Sequence, residues 1–198
     1  MDSVLAFGRE MLLAMALAAP AILALRLWGL RRLGKKGLST TLGHEAGLWV
    51  FLLFCAGLGA LTVVPGPGGW GPLSLERVNL IPLAVFRQGF AILRRGDGWG
   101  YLLINFVGNI VMFVPLGFFP PLLWRVRRPL LASVGTALGA SFFVELCQLF
   151  QNRGTDVDDL WLNALGGLLG YLLFRLAERA GPEAVESFRV REKKGEGR

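Results

Sequence analysis

Apolar residues gather along the chain in long blocks, separated by short polar or turn-forming segments. Neither the strict alternation of a strand nor the narrow stripe of a soluble amphipathic helix describes them. A helix that crosses a bilayer needs about 20 predominantly apolar residues. Five blocks meet that need, at 11–28, 46–64, 101–123, 129–150 and 160–176. The first contains Pro20, a kink tolerable within a bundle. The second carries no charge. The third carries Asn105 and Asn109, the fourth Glu145 and Gln148, and the fifth is short and rich in glycine.

The remaining segments read differently. Residues 65–72, PGPGGWGP, are turn formers that cannot make a regular helix. The following piece, LIPLAVFRQGFAIL at 80–93, is too short to span and is interrupted by Arg87, so an interfacial or re-entrant segment is expected. The pattern therefore predicts an all-α integral membrane protein of about five transmembrane helices, with that segment between the second and third. Three parts follow: an N-terminal helix and basic loop (1–45), a membrane domain (46–178) and a charged tail (179–198), expected as a short helix fraying into a disordered end.

Composition agrees. Hydrophobic residues make up 54% of the chain, charged residues 18%, and mean hydropathy is +0.53. A soluble domain runs nearer 25% charged, so a soluble enzyme, a disordered chain and a disulfide scaffold are excluded. The two cysteines, Cys55 and Cys147, lie inside apolar blocks and read as small hydrophobes. A single histidine, His44, placed in a basic loop, rules out a His-based zinc site or a Ser-His-Asp triad.

The net charge of +7 would suggest nucleic acid in a soluble protein. Here the basic residues cluster in short connections, so topology explains them and no nucleic-acid partner is expected. Fifteen Lys and Arg fall on the side of the first-to-second connection, the third-to-fourth connection and the tail; six fall on the other. The positive-inside rule then puts the N-terminus outside and the C-terminus in the cytoplasm, as an odd number of spans requires.

The polar residues inside the last three spans converge on one depth. At about 1.5 Å per residue, Asn105 and Asn109 lie roughly 6 and 12 Å below the outer end of the third span, and Gln148 and Glu145 roughly 3 and 8 Å below that of the fourth. Asn163 is expected about a turn into the fifth. Ser141, Glu145, Gln148 and Asn152 form one helical stripe; Asn105, Gly108, Asn109 and Met112 a second; Asn163, Gly166, Gly167 and Gly170 a third. Gly166 and Gly170, and Gly135 and Gly139, have the small-xxx-small spacing that lets membrane helices approach closely.

Glu145 is the most informative of these residues. An acid at the bilayer centre costs about 2.5–3.5 kcal/mol on insertion scales and defaults to function. Arg153, the asparagines, a bound cation or protonation could each meet that cost. The amides have a plainer reading as interhelical hydrogen-bond glue. The loop at 153–159, RGTDVDD, holds three acids in four residues. They can cap the fifth helix, hold a hard cation such as Mg²⁺ on Asp156 and Asp158, or pair with Arg153. Asn79 and Pro82, in VNLIPL, belong either to a lid over the cluster or to the start of an interfacial helix.

Taken together, these residues resemble the VanZ-like family of bacterial membrane proteins. The matching pieces are Asn-Leu-Ile-Pro at 79–82, Asn105 with Gly108-Asn109, and Phe113-x-Pro115-Leu116-Gly117. They continue with Glu145-x-x-Gln148, Arg153, Asp156-x-Asp158-Asp159, and Asn163 followed by Gly166-Gly167. The similarity runs from Asn79 to Tyr171. It implies a bacterial cell-membrane location and a link to teicoplanin resistance through the envelope, since the family's named member is associated with that resistance and teicoplanin carries a fatty acyl chain.

Three functions are then in view. The first is a non-catalytic pocket in the outer leaflet for a lipid-linked cell-wall precursor or other amphiphile, lined by Asn105, Asn109, Gln148, Arg153, Asp159 and Asn163. The second is an enzyme acting on a polyprenyl phosphate or phospholipid, with Glu145 as general base and Asp156 and Asp158 holding Mg²⁺. The third is a proton-coupled transporter using Glu145, disfavoured because the polar cluster stops at one leaflet; a homo-oligomer would supply the missing helices. Membrane lipids are expected partners in each.

Overall fold

A computed structural model describes residues 2–65, 69–75, 78–94, 99–100, 103–151 and 154–192. Its helices are α1 (Asp2–Lys35), α2 (Leu42–Thr62), α3 (Ala84–Leu93), α4 (Asn109–Leu123), α5 (Pro129–Gln148), α6 (Val157–Ala180) and α7 (Pro182–Ser187), and a π-helical turn, Leu103–Gly108, leads into α4. Four two-residue strands, β1 (Leu38–Ser39), β2 (Val78–Asn79), β3 (Thr155–Asp156) and β4 (Arg191–Glu192), tie connections together. Among the described residues, five helices are long and apolar enough to cross a membrane. The protein is an all-α membrane protein, with the short α3 between the second and third spans.

α6 packs most closely on α4 and also on α5, α2 lies against α4, and α1 touches mainly α2. Glycine makes the α4–α6 approach possible. A Cβ on Gly117 would meet the Gly167 carbonyl oxygen at 2.0 Å, one on Gly166 the Ile110 oxygen at 2.3 Å, and one on Gly170 the Val114 oxygen at 2.1 Å. No side chain fits there, as expected where small residues bring membrane helices to backbone contact. Gly135 and Gly139 differ from the expectation: a Cβ added at either would meet no neighbouring element within 4 Å, because α5 buries Ser133, Ala137 and Ser141 and turns those glycines outward.

Phe113, Leu116, Leu123 and Ala137 form the core with Leu48, Phe51 and Leu58 of α2. At the basic end of the bundle the chain closes on itself. β1 pairs antiparallel with β4, joining Leu38 to Glu192 and Ser39 to Arg191. Thr41 caps α2, accepting the His44 N–H at 3.0 Å and donating its hydroxyl to the Ser187 carbonyl. His44 is therefore a buried residue of the first turn of α2, with Nδ1 2.8 Å from the Phe188 carbonyl, and not a loop residue. The short helix expected of the tail is α7, and it is docked: Val185 packs into a cluster with Leu122 and Phe174, and Phe188 packs beside it, while the end expected to fray, 193–198, lies outside the described residues. Two apolar residues three apart on a charged segment suffice to bury one face.

Candidate functional site

The opposite end is organised by the N-terminus of α6. The helix starts at Val157, three residues earlier than its hydropathy alone indicates, so Asp158 and Asp159 stand in its first turn. Acids are favoured there by the exposed N–H groups and the helix dipole. Asp156 is the N-cap: its Oδ1 accepts the Asp158 N–H at 2.9 Å. Asn163 consequently lies almost two turns inside, not one. Conversely, regular α4 begins only at Asn109, so Asn105 and Asn109 sit at its entry rather than deep within it. The π-turn over Leu103–Gly108 occupies this entry, a distortion frequent at functional sites.

The segment from Val78 to Leu93 folds over this end. β2 pairs parallel with β3, matching Val78 to Thr155 and Asn79 to Asp156. Asn79 Nδ2 donates to Asp156 Oδ2 at 2.9 Å, while Asn79 Oδ1 accepts the Ile81 N–H at 3.1 Å. Asp158, 1% exposed, holds the segment down. Its Oδ1 accepts the Leu83 N–H at 2.7 Å and Trp161 Nε1–H at 2.8 Å, and its Oδ2 accepts the Val85 N–H at 2.8 Å. Leu83 is left-handed, with φ of 62°, a conformation costing about 1–2 kcal/mol outside glycine. The buried carboxylate enforces that turn and satisfies the first N–H groups of α3. Phe86, Phe106 and Trp161 pack as an aromatic cluster with centroids 5.0, 6.0 and 6.4 Å apart. Both readings of Asn79 and Pro82 find a counterpart: Asn79 is tied to Asp156 over this end, which makes the segment a lid, and Pro82 immediately precedes the short helix α3.

Glu145, 6% exposed, stands beneath β3. Its Oε2 accepts the Asp156 N–H at 3.2 Å. Asn109 Nδ2 donates to the Asp159 carboxylate and to the Asn105 carbonyl oxygen, the latter at 3.1 Å. One turn deeper, Asn163 Nδ2 donates to Ser141 Oγ at 2.8 Å. The structure thus unites Glu145, Asp156, Asp158, Asp159, Asn105, Asn109 and Asn163 at one end of three helices. Gln148 is half-buried on the last turn of α5, and its carbonyl accepts the Gln151 N–H at 3.0 Å. Arg153 and Asn152 lie outside the described residues. Among the described residues, the ion pairs do not include Glu145, Asp156, Asp158 or Asp159.

These bonds bear on the chemistry available. Both oxygens of Asp158 and both of Asp156 are engaged by N–H donors, and among the described residues no three His, Cys, Asp or Glu groups are placed to hold a metal ion. The donor set fits a clamp better than an Mg²⁺ site. An outward-opening cleft of about 260 Å³ lies beside the clamp. Leu80, Phe142, Leu146, Leu149, Val157 and Leu160 form its walls, and Glu145, Thr155 and Asp156 also line it. Trp161, Phe86, Phe106 and the turn at Leu83 were not recognisable as site-building from sequence. The Asp158-to-Trp161 spacing, three residues on one helix, was the one available signal.

A bundle of apolar spans with a carboxylate-clamped segment over one end defines a multi-pass membrane protein. The family described as VanZ/LLP1 matches residues 49–178, and the chain belongs to that family. It is also 31% identical over 85 residues to the uncharacterized membrane protein YwnJ of Bacillus subtilis (strain 168), a stretch covering 43% of this chain and 59% of the relative. The chain thus spans about three fifths of that relative's length. No solved structure matches.

Proposed function

We propose that this VanZ/LLP1-family protein binds the chain of a lipid-linked or other amphiphilic ligand in the cleft beside Glu145, at the outer leaflet of a bacterial cell membrane. The observation that carries the reading is an apolar cleft beside the clamped segment, walled by Leu80, Phe142, Leu146, Leu149, Val157 and Leu160. A hydrocarbon chain entering sideways from the bilayer meets apolar walls throughout, as the tail of an amphiphile requires. The excess of Lys and Arg on the other side of the spans, 15 against six, supports the outward orientation of this end. The family's association with teicoplanin, whose acyl chain anchors it to membranes, supports the envelope setting.

The test is expression in a teicoplanin-susceptible Gram-positive host, comparing teicoplanin and vancomycin inhibitory concentrations for wild type and Glu145→Gln at matched membrane levels. Selective teicoplanin resistance that Glu145→Gln abolishes is the expected result. Resistance that survives the substitution would make Glu145 structural, and no resistance in wild type would detach this protein from the antibiotic. Metal-assisted hydrolysis of a polyprenyl phosphate is the weaker reading, because the Asp156 and Asp158 oxygens it needs are occupied by N–H donors.

A further inference from the structure

We infer that the outward stripe of α3 docks on the lipid surface of the leaflet at the lid end, with Arg87 and Arg94 on the phosphates of anionic head groups and Phe90 in the apolar boundary beneath them. This surface is separate from the cleft beside Glu145, and the inference stands whether or not that cleft takes an amphiphile.

α3 has two unlike faces. Ala84, Val85 and Gly89 are buried, and the Val85 N–H is held by Asp158. Leu83, Arg87, Phe90 and Arg94 follow i, i+4, i+7 and i+11 and so share the opposite side of the helix and its two caps. All four are exposed, Leu83 by 56% and Phe90 by 60%. An aromatic ring therefore stands in the open with a guanidinium one turn away on either side. Among the described residues, the ion pairs include neither Arg87 nor Arg94.

The position of these cations along the chain is a second observation. Topology accounts for the 15 Lys and Arg on the basic side of the spans and gives no reason for cations on the other. Yet of the six there, Arg77, Arg87, Arg94 and Arg95 fall within residues 77–95, a segment without Asp or Glu. Attraction to the helix C-terminus covers Arg94 at the C-cap, but not Arg87 in the middle of α3.

A helix that lies in a membrane interface buries its apolar residues at the boundary of head groups and acyl chains, and its cations meet anionic lipid. Arginine suits that place: its stem packs along apolar surface, and its guanidinium pairs with two phosphate oxygens at once. Leu80 and Ile81, 73% and 53% exposed, extend the apolar edge of the stripe. A soluble anion would satisfy the arginines and leave Leu83 and Phe90 in water. A lipid surface satisfies both.

The full-length protein in nanodiscs of phosphatidylcholine and phosphatidylglycerol is photolabelled with trace analogues of each lipid bearing a diazirine in the head group, and cross-linked peptides are mapped by mass spectrometry. At low ionic strength the phosphatidylglycerol analogue should label residues 83–94 about tenfold more than the phosphatidylcholine analogue. Arg87→Gln combined with Arg94→Gln should remove that preference and leave labelling of residues 121–130, at the basic end, unchanged. Phe90→Ser should lower labelling of 83–94 by both analogues without altering their ratio. Equal labelling by the two lipids in wild type overturns the inference, and that comparison needs no variant to fold. A preference that survives the double substitution overturns it too, as does one abolished by excess inorganic phosphate at constant ionic strength, which would make the stripe a site for a free anion. Absence of labelling at 83–94 while the basic end is labelled takes the stripe out of the bilayer, and undiminished labelling in Phe90→Ser takes Phe90 out of the boundary; each overturns the docking.

Discussion

The two ends of this bundle handle charge in opposite ways. At the basic end, acids meet cations: Arg26 pairs with Glu45, Arg125 with Glu186, Arg175 with Glu178, and Arg189 with both Glu178 and Glu186. At the lid end, four carboxylates within 15 residues of one another are met by amides and backbone N–H groups. Ion pairing neutralises a charge, whereas N–H donors solvate it and leave its field in place. At the basic end the acids are therefore paired with cations, whereas among the described residues the acids of the lid end are held by N–H donors alone. Within the lid end, Asp158 accepts three N–H groups and is structural, while among the described residues Glu145 accepts one.

The contrast can be broken most severely at Asp158. Asp158→Ala strips acceptors from three N–H groups and releases the left-handed turn at Leu83, so we expect a loss of about 3 kcal/mol, read by thermal unfolding in detergent. Asp158→Asn, which keeps an acceptor, should recover part of it; equal losses would mean that the bonds are not what holds the lid. At the basic end, Arg26→Ala leaves Glu45, with a side chain 22% exposed, without its partner, at an expected cost of about 2 kcal/mol by the same measurement. The comparison sharpens at Glu145. Glu145→Gln keeps the side chain's shape and an acceptor for the Asp156 N–H, so stability should change by less than about 0.5 kcal/mol. A loss as large as that of Asp158→Ala would make Glu145 part of the clamp and erase the distinction within the lid end.

Much of this was legible in the sequence. The five spans, the intervening short segment and the convergence of Asn105, Asn109, Glu145, Asp156, Asp158, Asp159 and Asn163 follow from block length and helical spacing, which are local properties. Other features depend on what a segment meets. Gly166–Gly170 and Gly135–Gly139 share one spacing, yet only the first pair lies between helices. The tail from Glu178 reads as solvated because its charges outnumber its apolar residues; burial of Val185 and docking of Phe188 depend on a groove made by α4 and α6.

Sequence alone determined that this chain enters a membrane, how many times it can cross, and that the polar residues of its last three spans collect at one end. Those properties come from the free energy of moving side chains and backbone between water and hydrocarbon, which sums along the chain. Tertiary structure decided the separate roles of adjacent acids. Asp158 became a clamp because a segment some 75 residues away brought Leu83 and Val85 within hydrogen-bond reach, whereas among the described residues Glu145 accepts the Asp156 N–H alone. Identical carboxyl chemistry yields different functions when the donors around it are fixed by packing.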